Sequence, residues 1–330
     1  MLVLVAACTT NQAAAPASAT RAASPTPPTF ASSPSFASSP SPIPLQRQET
    51  SLPAALEETA ATAAGGKLYV MGGFNAAGAS LASVYVFDGQ SWSSGPQLPL
   101  PLDHASAATL DDHVYVAGGH SNGADSARFF RLDNDRWTEL ARLTFPRGGH
   151  ALVASGGLLV AIGGNTARGN VAPVESYDPQ SNAWTVLPNL PNPRNHVSGF
   201  VKGQFACVAG GRSPTTGRVD CVAAAYPTWS SLPDLPRVTS GAGAATFPGG
   251  DIVVAGGQNA GETAIVDQLT RYAPGTGWTA GESMLVPRHG FELAIFEGRA
   301  WACGGGTAPG LHPVATCTSI GDSGAPVRGK

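Results

Sequence analysis

The chain repeats one short phrase six times at a nearly constant interval. VYVAGGH at 114–120 has counterparts in LYVMGGF at 68–74, LVAIGGN at 159–165, ACVAGGR at 206–212, IVVAGGQ at 252–258 and WACGGGT at 301–307. The first glycines, Gly72, Gly118, Gly163, Gly210, Gly256 and Gly304, are 46, 45, 47, 46 and 48 residues apart. Each phrase is a short apolar run closed by Gly-Gly, a pair that permits φ > 0 and lets a neighbouring strand come close. A second landmark follows five of the pairs: Trp92, Trp137, Trp184, Trp229 and Trp278 stand 19 to 22 residues downstream. A period of this length without helical periodicity points to small sheets repeated around an axis.

One unit holds four apolar runs, here called strands A to D. In the third unit they are HALVAS (150–155), LLVAIGG (158–164), VESYDP (174–179) and AWTVLP (183–188). The prediction is an all-β, six-bladed β-propeller over residues 43–321, with four-stranded blades whose tryptophans and strand-C aromatics plug the gaps between them. Some blades depart from the pattern. Val222 stands where blade 4 should carry a tyrosine, and blade 5 has an insertion around residues 247–251. Blade 6 supplies FELAIF, RAWACGG and PVATCTSI but no fourth strand. Counting back from Gly72 puts a tryptophan-equivalent near Gln46. Residues of about 44–50 are therefore expected to form the outer strand of blade 6 and close the ring, which satisfies an otherwise open edge; the alternative is a three-stranded last blade.

The order Gly-Gly, Tyr-Asp type step, Trp resembles the kelch repeat over about residues 50–320. More loosely, the chain is similar to galactose oxidase-like and sialic acid mutarotase-like propellers. The resemblance implies that the face carrying the B–C and D–A loops is the binding face. The copper set of the kelch-like oxidases is not seen, because all six tyrosines fall in blade strands or just before a tryptophan. No metal and no cofactor is expected.

The front end reads differently. Val5-Ala6-Ala7-Cys8 resembles a bacterial lipobox, which makes residues 1–8 a short or truncated lipoprotein signal and Cys8 the lipidation site. Residues 9–42 are Ala, Ser, Pro and Thr with the single charge of Arg21, a composition that builds no core and reads as a disordered stalk. Residues 322–330 are expected to be a flexible tail. The expectation is an exported protein, periplasmic or at the cell surface, lipid-anchored and monomeric. A formal net charge of −3 without a basic run argues against nucleic acid as a partner. Cys207 and Cys221, and likewise Cys303 and Cys317, are 14 apart across a B–C turn. Each pair is a cross-strand disulfide if its register is right and two buried thiols if not; because the pairs sit differently against their Gly-Gly marks, one can bridge without the other.

Candidate ligand-binding residues follow from aligning the D–A segments on the next Gly-Gly. Arg147, Arg194 and Arg288 stand sixteen residues before it; Glu58, His104, Gly149, His196 and Gly290 stand fourteen before it. Blade 5 offers Arg237, shifted by its insertion. His150 and His289 flank the second position, and the B–C loops add His120 and Arg212. Arg supplies a fork of donors suited to a carboxylate; the alternative for Arg147, Arg194 and Arg288 is that each simply hydrogen-bonds neighbouring loop carbonyls. The expected function is therefore a non-catalytic module that binds a protein or a glycan or sugar-acid ligand. The alternative is a sugar mutarotase or epimerase using Glu58 with His104 or His196 as an acid–base pair.

Overall fold

The computed structural model describes residues 45–323. Cys8, the 1–8 and 9–42 segments and the tail beyond residue 323 lie outside the described residues. Every regular element among them is a strand, gathered in six antiparallel sheets. The innermost A strands are Ala60–Ala64, Asp103–Leu110, Gly148–Ser155, Ser198–Lys202, Gly243–Thr246 and Leu293–Phe296. Five of the outermost D strands are Trp92–Ser94, Arg136–Glu139, Ala183–Leu187, Trp229–Leu232 and Gly277–Ser283. The sixth is Gln46–Glu49, paired antiparallel with Cys317–Gly321 in the order D–C–B–A of the last blade. The chain therefore closes the ring with its own N-terminal strand, as the position of Gln46 implied.

The Gly-Gly pair is explained by two carbonyls. The N–H of the second glycine donates to a carbonyl on the segment entering the next blade, and this happens at all six junctions: Gly73 to Leu102, Gly119 to Arg147, Gly164 to Arg194, Gly211 to Thr239, Gly257 to Arg288 and Gly305 to Leu56, at 2.8 to 3.0 Å. The same carbonyl lies where a side chain on the first glycine would be. A Cβ on Gly118 would sit 2.4 Å from the Arg147 oxygen. The second glycine is pressed from the other side, and a Cβ on Gly119 would meet the Asp103 carbonyl at 2.6 Å. With φ at 65° and 87° in this pair, both sterics and backbone conformation select glycine.

The outer rim repeats a second inter-blade bond. Trp92, Trp137, Trp184 and Trp229 donate their indole N–H to Thr50, Pro96, Ala141 and Pro188 on the preceding blade's exit, at 2.7 to 3.2 Å. Gln46 holds the tryptophan position of blade 6 and makes the same link, its amide N–H donating to the Ser283 carbonyl at 2.8 Å. Between blades 2 and 3 the apolar plug is aromatic: Phe129 touches Tyr115, Tyr177 and Trp184 with ring centroids 5.6, 4.7 and 5.0 Å apart. Blade 4 keeps the plug without a tyrosine, because Val222 is fully buried against its neighbours.

Both cysteine pairs are disulfides. Cys207 faces Cys221, and Cys303 faces Cys317, directly across strands B and C. The different distances to Gly-Gly do not matter, since each pair is matched in its own ladder; the expectation that the two pairs can differ is corrected here. The blade 5 insertion is the A–B turn between Thr246 and Ile252, at the opposite end of the blade from the Gly-Gly turns. It adds one residue to the hairpin and so shifts blade 5 by one position against the Gly-Gly count.

Trp278 breaks the rim pattern, its indole N–H being buried without a partner. Replacing a tryptophan by phenylalanine should therefore give unequal results. Trp184→Phe is expected to cost about 1 kcal/mol more in denaturant unfolding than Trp278→Phe, since only the former breaks a bond between blades.

Candidate functional site

The segments that lead into the A strands build the mouth of the central channel. Counted from Gly-Gly, the residue fifteen before it, or sixteen in blade 5, pairs with the residue two after it: Glu57 with Phe74, Asp103 with His120, Gly148 with Asn165, Asn195 with Arg212, Ser240 with Gln258 and His289 with Gly306. The extra residue in blade 5 is the one-residue insertion of its A–B turn. The next residue in each segment turns toward the axis. These six, Glu58, His104, Gly149, His196, Gly241 and Gly290, all have φ between 51° and 66°. Backbone hydrogen bonds run from one to the next: His104 N–H to Glu58, Glu58 to Gly290, Gly290 to Gly241, Gly241 to His196 and His196 to Gly149, at 2.6 to 3.1 Å. The sheet repeat thus brings residues more than 200 positions apart into one narrow collar.

The arginines sixteen before Gly-Gly do not reach the mouth. Arg147, Arg194 and Arg288 are 0%, 1% and 0% exposed. Arg147 donates to the Gly163 and Pro173 carbonyls and pairs with the equally buried Glu175 at 2.8 Å. Arg194 donates to the Gly210 carbonyl and pairs with Asp220 at 2.9 Å. Arg288 donates to the Gly304 and Thr316 carbonyls. Each guanidinium ties its segment to its own blade while the residue's carbonyl ties it to the blade before. The blade 5 counterpart is Thr239, whose hydroxyl donates to the Gly256 carbonyl at 2.8 Å; Arg237 is not the equivalent residue. The ligand role expected for Arg147, Arg194 and Arg288 is replaced by a structural one, and truncating the buried pair of Arg147 or Arg194 costs about 3–5 kcal/mol. His150 is also buried, 4% exposed, with both ring nitrogens unpartnered. Burial, then the neighbouring charge of Arg147, holds its pKa well below the usual histidine value, so it lines the channel as a neutral ring.

The remaining candidates do converge. His104 Nδ1 lies 2.6 Å from Asp103 Oδ1, and its Nε2 lies 3.5 Å from Glu58 Oε2. The rings of His120 and His196 pack on its two sides, with centroids 5.5 and 5.0 Å away. Burial works to lower the His104 pKa, but Glu58 and the bond to Asp103 outweigh it and leave it raised. His196 is pushed well below the usual range by burial and by the charges of His104 and Arg212. Arg212 Nη2 meets His196 Nε2 at 2.8 Å and its other arm pairs with Glu262. His289 stands between Glu57 (3.3 Å) and Glu58 (3.9 Å). His120 pairs with Asp125 at 3.1 Å, and burial lowers its pKa.

Sequence reasoning missed several of these partners. Glu57, Asp103 and Asn195 all occupy the position just before a collar residue, so the dipeptides Glu-Glu, Asp-His and Asn-His at one distance from Gly-Gly were the available signal. Glu57 is 2% exposed and burial pushes its pKa up to about 7. Glu292 was hidden in the apolar run FELAIF. It projects from blade 6 into the channel and accepts from Ala61 N–H at 2.7 Å, Ser106 Oγ–H at 2.5 Å and Ala107 N–H at 3.2 Å, so one carboxylate joins blades 6, 1 and 2.

The channel from the collar inward offers about 90 Å³, room for a few waters. Above it lie two depressions that share Phe74 and His104. One, of about 230 Å³, is bordered by Glu57, Glu58, Arg212, Glu262 and His289. The other, of about 270 Å³, is bordered by Asp103, His120, Asp125 and Asn165.

Comparison with known proteins agrees with this architecture. The model of the KLHDC2/KLHL20/DRC7 Kelch-repeats domain matches residues 43–211. Kelch-like protein terF of Aspergillus terreus is 26% identical over 292 residues, covering 78% of this chain and 63% of that protein. Kelch-like protein 25 of Xenopus tropicalis is 31% identical over 193 residues, covering 52% of this chain and 32% of that one. The chain thus spans less than two thirds of the length of these relatives. Among solved structures, that of YjhT superposes with a TM-score of 0.70 over 83% of this chain and 97% of its own, at 16% identity, a likeness of fold.

Glu292 supplies a pH test of the channel. Burial raises its pKa from 4.5 to about 7, so the folded state holds a proton that the unfolded chain has already lost. The stability this group contributes is present below pH 4.5 and lost as pH rises to about 7, an upper limit on the order of 3 kcal/mol. Glu292→Gln is expected to flatten that stretch of the unfolding free energy against pH, with the variant gaining on the wild type above pH 7.

Proposed function

Because this chain belongs to the kelch-repeat family, we propose that it is a non-catalytic binding module whose ligand seats on the face around the channel mouth. Kelch-repeat domains generally mediate protein binding. The observation that carries the reading for this chain is the convergence, on a single mouth, of Arg212, His104, His120, His196 and His289 from three blades, bordered by two open depressions. Arg212 is the cation best placed to meet a carboxylate. Its side chain is 22% exposed, and its partner Glu262, 46% exposed, is a rim group that an incoming acid can replace. The ligand class is an acidic segment of a protein partner or the acid group of a glycan.

The reading extends to an exported lipoprotein held by Cys8. Its support is the apolar start, the Ala/Ser/Pro/Thr-rich segment of residues 9–42 and two cross-strand disulfides, which persist in oxidising compartments.

A sugar mutarotase is the second reading. Glu58 and His104 lie 3.5 Å apart at the edge of the 230 Å³ depression, an acid–base pair within reach of a small ring. One set of experiments separates the two. The full chain is screened against acidic peptides and a glycan array, and hits are titrated with the wild type, Arg212→Ala and the flank control Arg128→Ala. The binding reading expects a carboxylate-bearing hit whose affinity falls at least about tenfold in Arg212→Ala alone. Equal binding by all three proteins removes it. The enzyme reading instead expects anomerically pure sialic acid, followed by NMR, to equilibrate faster with the wild type than with Glu58→Gln.

A further inference from the structure

Three of the six collar residues are glycine, and the other three carry side chains that face one another. The backbone is left-handed at all six, with φ of 55°, 53° and 51° at Glu58, His104 and His196 and 59°, 66° and 64° at Gly149, Gly241 and Gly290. The glycines show that the collar itself needs no side chain. Residues with a Cβ are disfavoured in this conformation and persist where the side chain has work to do. The glycines also make room for it: a Cβ on Gly290 would lie 2.7 Å from Glu58 Oε1, and one on Gly149 would lie 3.0 Å from His196 Nδ1.

The three side chains converge to within ligating distance. One atom from each of Glu58, His104 and His196 lies within 4.8 Å of the other two. The His104 Nε2 to Glu58 Oε2 distance of 3.5 Å is close to the edge of about 3.3 Å that two ligands make on a tetrahedral zinc with bonds of about 2.0–2.1 Å. Both rings are oriented from behind by the preceding residue. Nδ1 of His104 is 2.6 Å from Asp103 Oδ1, and Nδ1 of His196 is 2.6 Å from Asn195 Oδ1. In His196 the tautomer follows from its partners: Arg212 donates to Nε2, so that nitrogen carries the lone pair and Nδ1 carries the proton. An imidazole pinned through Nδ1–H with Nε2 turned to a shared centre is the arrangement metal-bound histidines adopt.

We propose that Glu58, His104 and His196 form a divalent-cation site of the zinc class at the channel mouth, with three protein ligands and a fourth position open to the depression above. Two imidazoles and one carboxylate suit zinc better than calcium or magnesium, which favour all-oxygen sets. Arg212 holds the His196 lone pair in the cation's place. It is tethered at the rim by Glu262 and Asn195, and it moves outward when a cation binds. The neighbouring set of Glu57, Glu58 and His289 is a hydrogen-bonded support. There the imidazole stands between two carboxylates with Nε2 3.1 Å from the Ala308 carbonyl, and Glu57 accepts from His312 N–H at 2.8 Å. This inference goes beyond the binding reading and does not rest on it.

The full chain, freed of metal with chelator, is titrated with zinc by calorimetry and with cobalt by visible absorption. One equivalent is expected, with the absorption of a four-coordinate cobalt. Glu58→Gly, His104→Gly and His196→Gly should each weaken binding by about 100-fold or more. In metal-free buffer the same variants should still fold and melt cooperatively, because glycine suits the collar backbone; loss of binding then cannot be loss of fold. Arg212→Gln should bind zinc more tightly. The proposal is overturned if the wild type takes up no zinc, if the glycine variants bind like the wild type, if Arg212→Gln weakens binding, or if only Glu57→Gln and His289→Ala abolish it.

Discussion

The propeller depends on one hydrogen bond made six times: the N–H of the second glycine in each Gly-Gly pair to a carbonyl on the chain entering the next blade. Around that carbonyl the first glycine must lack a Cβ, and around the second glycine the carbonyl of its own entering segment leaves no room for one either. The pair is therefore squeezed from two sides, which is why it recurs while the apolar residues before it vary freely. The bond also sets the inner geometry. Because each entering segment is fixed to two blades at once, the residues that follow it reach the axis at the same height, and the collar forms.

The arginines and the collar residues divide the labour of that segment. Arg147, Arg194 and Arg288 are charged groups bound almost wholly to backbone oxygens and to buried or hydroxyl partners, and they serve the scaffold. Two positions on, the backbone is identical in all six blades but the side chains are not. A sixfold frame presents Glu58, His104 and His196 in unequal steps around the axis, with glycines beside them as space. The asymmetry of the mouth is written on a symmetric skeleton, so chemistry there can change without disturbing the blades.

Most of the fold was legible because it repeats. The Gly-Gly interval gave the blade count, and the distance from Gln46 to Gly72 gave the closing strand, since a glutamine amide can make the rim bond that tryptophan makes elsewhere. The site was legible only in outline. Distance to Gly-Gly picked out Glu58, His104 and His196, which share the collar, but it also picked out the arginines, because a linear count cannot tell a side chain pointing along the blade from one pointing at the axis. Their partners were invisible for a related reason: Glu175 and Asp220 sit on strand C, where alternation hides a buried acid among apolar neighbours. Glu292 was masked in the same way. The blade 5 assignment failed over a single residue, since an insertion in the A–B turn moves the Gly-Gly mark relative to everything before it.

The last blade also has a mechanical consequence. Gln46–Glu49 lies on Cys317–Gly321, with Glu49 opposite Cys317, and Cys317 is covalently joined to Cys303 on the strand within. Tension entering the ring through the residues that precede Gln46 loads this short ladder first. Should it peel away, the rupture meets a cross-link one strand further in, so the seam where the circle is joined is also where unravelling is stopped.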